Sequence, residues 1–176
     1  MTQRLLLKTG VLNIKNISKD ATKNTTVTGT KASKATLESI PITLQYPNSS
    51  VLLSGSVDFT INDTTAGSDI GILLLDVTRT INGYTELIYE TGFYSSGANY
   101  LANLEHFGNF SFEWLDLNPL SSICPNVCSD LDIDCPSTTI TYNFIISNDN
   151  GFLSATQTGG VVIDDYYSLT IAEVSK

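Results

Sequence analysis

Apolar and polar residues alternate with a period of two along most of the chain after residue 36, which is the pattern of half-buried β-strands. A single weak helical pattern, at residues 98–107, interrupts this series. The predicted strands cover residues 40–46, 51–61, 70–80, 84–89, 110–117, 139–147, 152–156 and 161–174. The pattern therefore predicts an all-β fold.

Turn residues separate these strands and indicate how the strands are connected. Asn82-Gly83 lies between two predicted strands, and this dipeptide is the strongest short hairpin signal. A second hairpin is predicted where Asn148-Asp149-Asn150-Gly151 leads into residues 152–156. Many short strands with such turns and no internal repeat predict an antiparallel β-sandwich of jelly-roll type.

The first 35 residues differ from the rest in composition. Residues 20–36 are small, polar and basic, with Val27 as the one large apolar residue, which predicts an extended linker or edge strand. We therefore divide the chain into an extended basic N-terminal arm, residues 1–35, and a jelly-roll domain, residues 36–176.

Charge is distributed unevenly between these two parts. Residues 1–34 hold seven of the nine basic residues and one acid, a net charge of +6, whereas residues 35–176 carry −15. A cationic arm on an anionic body favours contact between copies of the chain. The apolar residues of the arm could then add as a strand to a neighbour's sheet edge. The predicted assembly residues are Arg4, Leu5, Leu7, Lys8, Val11, Leu12, Ile14 and Ile17.

The same arm is a poor match to a nucleic-acid-binding segment. Its basic residues are dilute, and no aromatic residue is interleaved to stack on bases. The anionic body would also repel a phosphate backbone. We expect no nucleic-acid partner.

The cysteines Cys124, Cys128 and Cys135 lie in one predicted loop. A structural zinc site needs four ligands, and the only histidine, His106, is 18 residues upstream. A disulfide within this loop is the better interpretation, with one cysteine left to bridge to another chain. Three reduced cysteines remain the alternative. We predict no metal and no cofactor.

Catalytic constellations are missing from the sequence. His106 has no G-x-S-x-G nucleophile motif to serve, so we predict that the chain is not an enzyme. The acids Asp130, Asp132 and Asp134 alternate with apolar residues but lack the glycine and glutamate of a calcium loop. Three alternating aromatics are predicted to face the core: Phe110, Phe112 and Trp114.

No stretch reaches the roughly 18 apolar residues of a membrane span, so we expect no membrane partner. The apolar run Leu5-Leu6-Leu7 is also too short for a signal-peptide core of about 7–15 residues. We therefore expect no classical secretion signal.

Several segments resemble the tumour-necrosis-factor-like jelly rolls of bacterial endospore surface proteins. The resemblance covers about residues 38–176 and is carried by IPITLQYPNSSVLLSGSVDFTI, YTELIYETGFY, FSFEWLDLNPL, TTITYNFIIS and YYSLTIAEVSK. It implies a non-catalytic trimer that builds a spore-surface structure, either exosporium or appendage, together with other spore-surface proteins. The basic arm and the three-cysteine loop depart from the usual globular heads and would suit a fibre subunit.

Two classes of function follow from the sequence. The first is a structural protein that self-assembles into a filament or layer through its N-terminal arm. The second is a binding module, either a lectin-like adhesin or a phage or viral capsid or attachment protein. For a lectin, the aromatic residues and the loop with Asp130, Asp132 and Asp134 would form the site.

Overall fold

The computed structural model describes residues 10–20, 25–28, 34–62, 70–96, 105–121, 139–148, 160–163 and 166–174. These ranges form ten β-strands: β1 (Val11–Asp20), β2 (Thr25–Thr28), β3 (Lys34–Thr43), β4 (Ser50–Asn62), β5 (Ile70–Ile81), β6 (Tyr84–Ser96), β7 (Glu105–Asp116), β8 (Thr139–Asn148), β9 (Gly160–Ile163) and β10 (Tyr166–Val174). The predicted all-β class is confirmed. Over the same ranges, no helix is long and apolar enough to cross a membrane.

The strands form two antiparallel sheets. Sheet A has six strands in the order β1-β10-β4-β9-β2, and β7 pairs with the other edge of β4. Strands β10 and β9 pair with successive parts of β4, so the four long strands of sheet A run β1-β10-β4-β7. Sheet B has four strands in the order β3-β8-β5-β6. The predicted β-sandwich is confirmed.

Long strands that follow one another in the chain mostly lie in opposite sheets. The chain passes from β3 in sheet B to β4 in sheet A, then to β5 in sheet B, and from β7 in sheet A to β8 in sheet B. Strands β5 and β6 instead form a hairpin within sheet B. This order supports the jelly-roll interpretation, which stays a prediction.

Period-two patterning places the core between the sheets. Along β8, alternate residues from Ile140 to Ile146 are fully buried, and they face the equally buried Leu169 and Ile171 of β10. Burial of each such side chain contributes about 1.5–3 kcal/mol relative to leaving it in water. The alternation that predicted the strands therefore also positions the core.

Over the described residues, one expectation is wrong and another is not confirmed. The weak helical pattern at residues 98–107 is wrong for its last three residues, which begin β7 and pair with the end of β4. The extended arm is not confirmed as a separate unit, since residues 11–20 and 25–28 are strands of sheet A. The division at residue 36 falls inside β3, which begins at Lys34.

The β5–β6 hairpin turn depends on a left-handed backbone at both central residues. Asn82 has a φ of 50° and Gly83 a φ of 82°, which is the type I′ geometry that matches the twist of paired strands. We predict that Gly83→Ala lowers the free energy of unfolding by about 1 kcal/mol, because a Cβ disfavours this φ. Urea denaturation would measure the loss, and Asn82→Gly, which permits the same turn, should leave stability nearly unchanged.

Candidate assembly surface

Strand β1 is held at the edge of sheet A by its backbone and contributes no core side chain over the residues whose side chains are described. From Gly10 to Asn16 none of its residues is buried, and Val11 and Ile14 are 60% and 51% exposed. Its start is fixed by two bonds: Asn13 Nδ2 donates to the Thr43 carbonyl at 3.3 Å, and Gln45 Nε2 donates to the Leu12 carbonyl at 3.0 Å.

An apolar patch crosses the outer face of sheet A at the end where β1 begins. The strand register places one apolar residue from each long strand side by side: Ile14 opposite Ala172, Ala172 opposite Leu52, and Leu52 opposite Leu115. Such cross-strand neighbours have Cβ atoms about 4.5–5.5 Å apart. We define the apolar patch as this row together with the adjoining apolar residues at the strand ends, so its members are Val11, Ile14, Leu52, Leu115, Leu117, Ala172 and Val174.

Several members of the apolar patch are strongly exposed. Leu115 and Leu117 are 42% and 64% exposed, in addition to Val11 and Ile14 on β1. Ala172 is nearly covered, at 3% exposure, because it lies between two larger neighbours in the row. A contiguous exposed apolar surface of this kind marks an interaction site more often than scattered apolar residues do.

Two polar rows on the outer face of sheet A bound the apolar patch along the strands. The next row along the strands is Asn16, Thr170, Ser54 and Glu113, and the following row holds Ser168, Ser56 and Ser111. Asn109, further along β7, donates to the Ser56 hydroxyl at 2.9 Å and to Asp58. The apolar patch is therefore separated by polar rows from the opposite end of this face.

On the outer face of sheet B, Leu87 is the one strongly exposed large apolar residue among those whose side chains are described. This leucine ends a row whose other members are Thr78, Asn143 and Ser39. These polar residues bond one another, with Ser39 Oγ donating to Asn143 Oδ1 at 2.8 Å and Asn143 Nδ2 donating to Thr78 Oγ1 at 3.1 Å. Leu87 is thus an isolated exposed leucine, without an apolar neighbour in its row.

One acid of the jelly-roll domain, Asp116, is buried between the sheets in an ion pair with Arg79. Arg79 of sheet B points between the sheets, where its Nη1 donates to both carboxylate oxygens of Asp116 of sheet A at 2.7 and 2.8 Å. Its Nε donates to Glu86 at 3.1 Å, and the Tyr142 hydroxyl donates to Asp116 at 2.8 Å. Although burial lowers the pKa of Arg79, its hydrogen bond to Glu86 and the charge of Asp116 outweigh this, so the pKa is raised.

Two further acids are buried with partners from this chain. Both oxygens of Glu173, which is fully buried, accept the backbone N–H of Gln45 at 2.9 Å. Asp76 is 4% exposed and forms an ion pair with Lys34 at 2.6 Å. These carboxylates, like Asp116, cannot bind a foreign cationic segment without breaking internal contacts. The net charge of the body therefore overstates the negative surface that it offers to another copy.

Buried tyrosines make the fold sensitive to alkaline pH. Burial raises the pKa of Tyr142, and its contact with Asp116 adds to this; burial and a 2.6 Å bond to Glu38 raise the pKa of Tyr167. The pKa of each tyrosine is therefore higher in the folded state than in the unfolded state. The stabilisation that the hydroxyl contributes is complete below about pH 10 and is lost as the pH rises further.

We therefore predict that the free energy of unfolding falls above about pH 10 by about 1.4 kcal/mol per pH unit for each tyrosine. Urea titrations between pH 8 and pH 11 would measure this fall. Tyr167→Phe should reduce the slope of the free energy of unfolding against pH by the contribution of one titrating proton. An unchanged slope in Tyr167→Phe would show that its hydroxyl does not titrate with unfolding.

The structure places half of the predicted assembly residues. Val11, Leu12, Ile14 and Ile17 belong to β1 and pair with β10 in the same chain, apart from Leu12, which lies at a bulge in the register. Arg4, Leu5, Leu7 and Lys8 lie outside the described residues, as do Cys124, Cys128, Cys135 and the acids Asp130, Asp132 and Asp134. The described part of the chain contains no group of three or more His, Cys, Asp or Glu residues that could hold a metal ion.

The aromatic residues of β7 form part of a cluster of aromatic side chains that includes Tyr89 of β6. Phe112 is buried, while Trp114 is 40% exposed and stacks on Tyr89 of β6 with ring centroids 5.1 Å apart. The prediction that Phe112 faces the core is confirmed, and Trp114 lies at the rim of the core.

Sequence reasoning missed most of the apolar patch. Leu52, Leu115 and Ala172 come from three strands that are far apart in the sequence, and only the register brings them together. One signal was available: Leu115 occupies the polar side of the alternating segment in which Ser111 and Glu113 precede it.

Comparison with known proteins adds little. No protein-family model matches the chain, and no curated protein matches it. Solved structures of infectious bursal disease virus include the Gx strain, with 13% identity and a TM-score of 0.36, and the VP2 subviral particle, with 14% identity and a TM-score of 0.37. These matches cover 94% of this chain but only 42% and 39% of the viral chains, so the chain spans less than half of their length. At these TM-scores the similarity supports no statement about fold or function.

Proposed function

We propose that the chain is a non-catalytic structural protein that assembles with copies of itself through its N-terminal region. The observation that carries this proposal is the apolar patch, which is bounded by polar rows and includes the strongly exposed Val11 and Ile14 of β1. A monomer gains nothing from exposing this surface, whereas a subunit would bury it against its neighbour.

The strand edges of the sandwich support the same proposal. Within the described residues, β7 and β6 end their sheets, so the outward edge of each has no strand partner there. Sheet edges are sites where further strands add unless they are blocked. The body therefore offers lateral surfaces for higher-order packing in addition to the apolar patch.

The biological setting of the proposal comes from the sequence resemblance. The assembled unit would be a trimer, stacked into a fibre, appendage or layer on the outside of a bacterial spore, with other spore-surface proteins as further partners. Disulfides from Cys124, Cys128 and Cys135 would lock such contacts. No nucleic acid, membrane, metal or cofactor takes part.

Removing residues 2–9 tests the proposal and leaves β1 in place. The full chain should sediment as a discrete oligomer or show larger assemblies by negative-stain microscopy, and the truncated chain should be a folded particle of lower mass. Both proteins should be measured with and without reductant, which separates disulfide bridging from docking. Assembly that is unchanged by the truncation would contradict a role for the N-terminal region.

A lectin-like binding module is the alternative. The exposed ring of Trp114 is the described feature that would serve it, but the ring is stacked on Tyr89. We expect no saturable binding on a glycan array. Binding that is lost on replacing Trp114 by alanine would favour the alternative.

A further inference from the structure

The apolar patch lies where the N-terminal segment, residues 1–9, joins the body. Gly10 precedes Val11, which is both the first residue of β1 and a member of the apolar patch. The N-terminal segment contains three consecutive leucines, Leu5-Leu6-Leu7, within nine residues. Nine extended residues span at most about 30 Å, and the row of four strands is about 14 Å wide. The apolar segment is therefore attached to the body beside the apolar patch and is long enough to cross its four strands.

Within the described part of the chain, nothing covers the exposed members of the apolar patch. Val11 and Ile14 are more than half exposed, and Leu117 is 64% exposed. A segment from outside the described residues, supplied by the same copy or by a second one, can therefore bind there.

Charge on the two partners is complementary. Arg4 and Lys8 flank the three leucines in sequence. On the body, the exposed Glu113 lies in the row next to Leu115 and makes no ion pair with any described residue. A leucine triplet with a cation on each side thus fits an apolar surface with a free carboxylate beside it.

We propose that the apolar patch receives the segment Leu5-Leu6-Leu7 of a second copy of the chain, an inference that rests on the proposed function and names the surface to which the N-terminal region binds. The leucines cover Leu115, Leu117 and the exposed part of β1, and a flanking basic residue approaches Glu113.

A segment of one copy bound to the apolar patch of the next copy is a heterologous contact. Such a contact closes into a ring when the rotation between copies returns to the first copy, and otherwise it extends into an open filament. The proposed trimer is the closed case. With the proposed trimer, each copy donates one segment and receives one, and stacking of rings into a fibre uses other surfaces.

Two full-length variants test the inference. One variant combines Leu5→Ser, Leu6→Ser and Leu7→Ser, which makes the donated segment polar. The other variant combines Leu115→Asp with Leu117→Asp, which places negative charges on the receiving surface at exposed positions. Leu87→Asp is the matched control, because it places the same charge at an exposed leucine of sheet B. Circular dichroism and thermal melting would confirm folding, and native mass spectrometry would count the copies.

We expect a closed oligomer for the wild type and for Leu87→Asp, and monomers for the two test variants. A synthetic peptide of residues 1–10 should bind the leucine-to-serine variant saturably, and should lose at least tenfold in affinity when Leu115→Asp and Leu117→Asp are added.

The outcomes separate the inference from the proposed function. If the serine variant is monomeric but the aspartate variant still assembles and binds the peptide, the N-terminal segment docks elsewhere and the inference is overturned, while the proposed function stands. If the wild type is monomeric at every concentration, both fail. If it is monomeric while the serine variant binds the peptide, the segment covers its own patch and exchange between copies is wrong.

Discussion

Replacing Arg79 by methionine is expected to lower the free energy of unfolding by about 3–5 kcal/mol, because it leaves a buried carboxylate without its counter-charge. Asp116 is 7% exposed and receives two hydrogen bonds from Arg79. The ion pair joins β5 of sheet B to β7 of sheet A, so its loss also loosens the two sheets. The melting temperature should fall by roughly 6–20 °C for a domain of this size.

A double-mutant cycle provides the control for this prediction. Asp116→Asn removes the charge that Arg79→Met would leave unpaired, so the double variant should recover part of the stability that Arg79→Met loses. Tyr142 can still donate to an amide oxygen at position 116. Additive losses in the double variant would show that the pair contributes no coupling energy and would contradict this account of the cluster.

Gly55→Val is expected to have the second largest effect, a loss of about 3 kcal/mol. Gly55 lies on the inner face of β4, opposite Phe112 of β7 and Leu169 of β10. A Cβ at this position would lie 2.7 Å from a ring carbon of Phe112 and 2.7 Å from the backbone carbonyl oxygen of Ser168. The backbone oxygen cannot move without distorting the β4–β10 ladder.

Ser56→Val is the matched control, since it puts the same side chain on the outer face of the same strand. Its effect on the urea midpoint should be small, because valine suits a strand and Ser56 faces outwards. The exposed Asn109, which donates to the Ser56 hydroxyl, also donates to Asp58 and keeps that partner. If Gly55→Val were as stable as the wild type, β10 and Phe112 would be able to move away from β4 without a loss in the free energy of unfolding.

The fold class could be predicted from the sequence because a period of two is a local signal. Asn82-Gly83 also predicted its hairpin correctly, since both residues carry the positive φ that the turn requires. The second predicted hairpin, from Asn148-Asp149-Asn150-Gly151 into residues 152–156, lies outside the described residues after Asn148. Both edges of β8 are already paired, with β3 and with β5, and a turn sequence does not contain that information.

The candidate site could be predicted only in part, because register is a tertiary property. Val11 and Ile14 were among the predicted assembly residues and belong to the apolar patch. Their neighbours on the other three strands follow from pairings that depend on turn geometry and the core. Counting acids was also misleading, since Asp76, Asp116 and Glu173 are buried among partners from their own chain.

These observations alter the meaning of the charge asymmetry. Lys34 pairs with Asp76 inside the chain, and the exposed Lys15 lies opposite the apolar Ile171. Lys15 therefore makes no ion pair that would hold β1 to the body among the residues whose side chains are described. We expect the contact between copies to depend mainly on apolar burial, with Arg4, Lys8 and Glu113 setting its orientation and its rate of formation.

Complementation between two defective variants tests the central claim most directly. The leucine-to-serine variant keeps the apolar patch but lacks the apolar segment, and the Leu115→Asp, Leu117→Asp variant keeps the segment but lacks the patch. Each alone should remain monomeric in sedimentation velocity, and an equimolar mixture should form a one-to-one complex that grows no further. A mixture that sediments as two unassociated monomers would contradict the account.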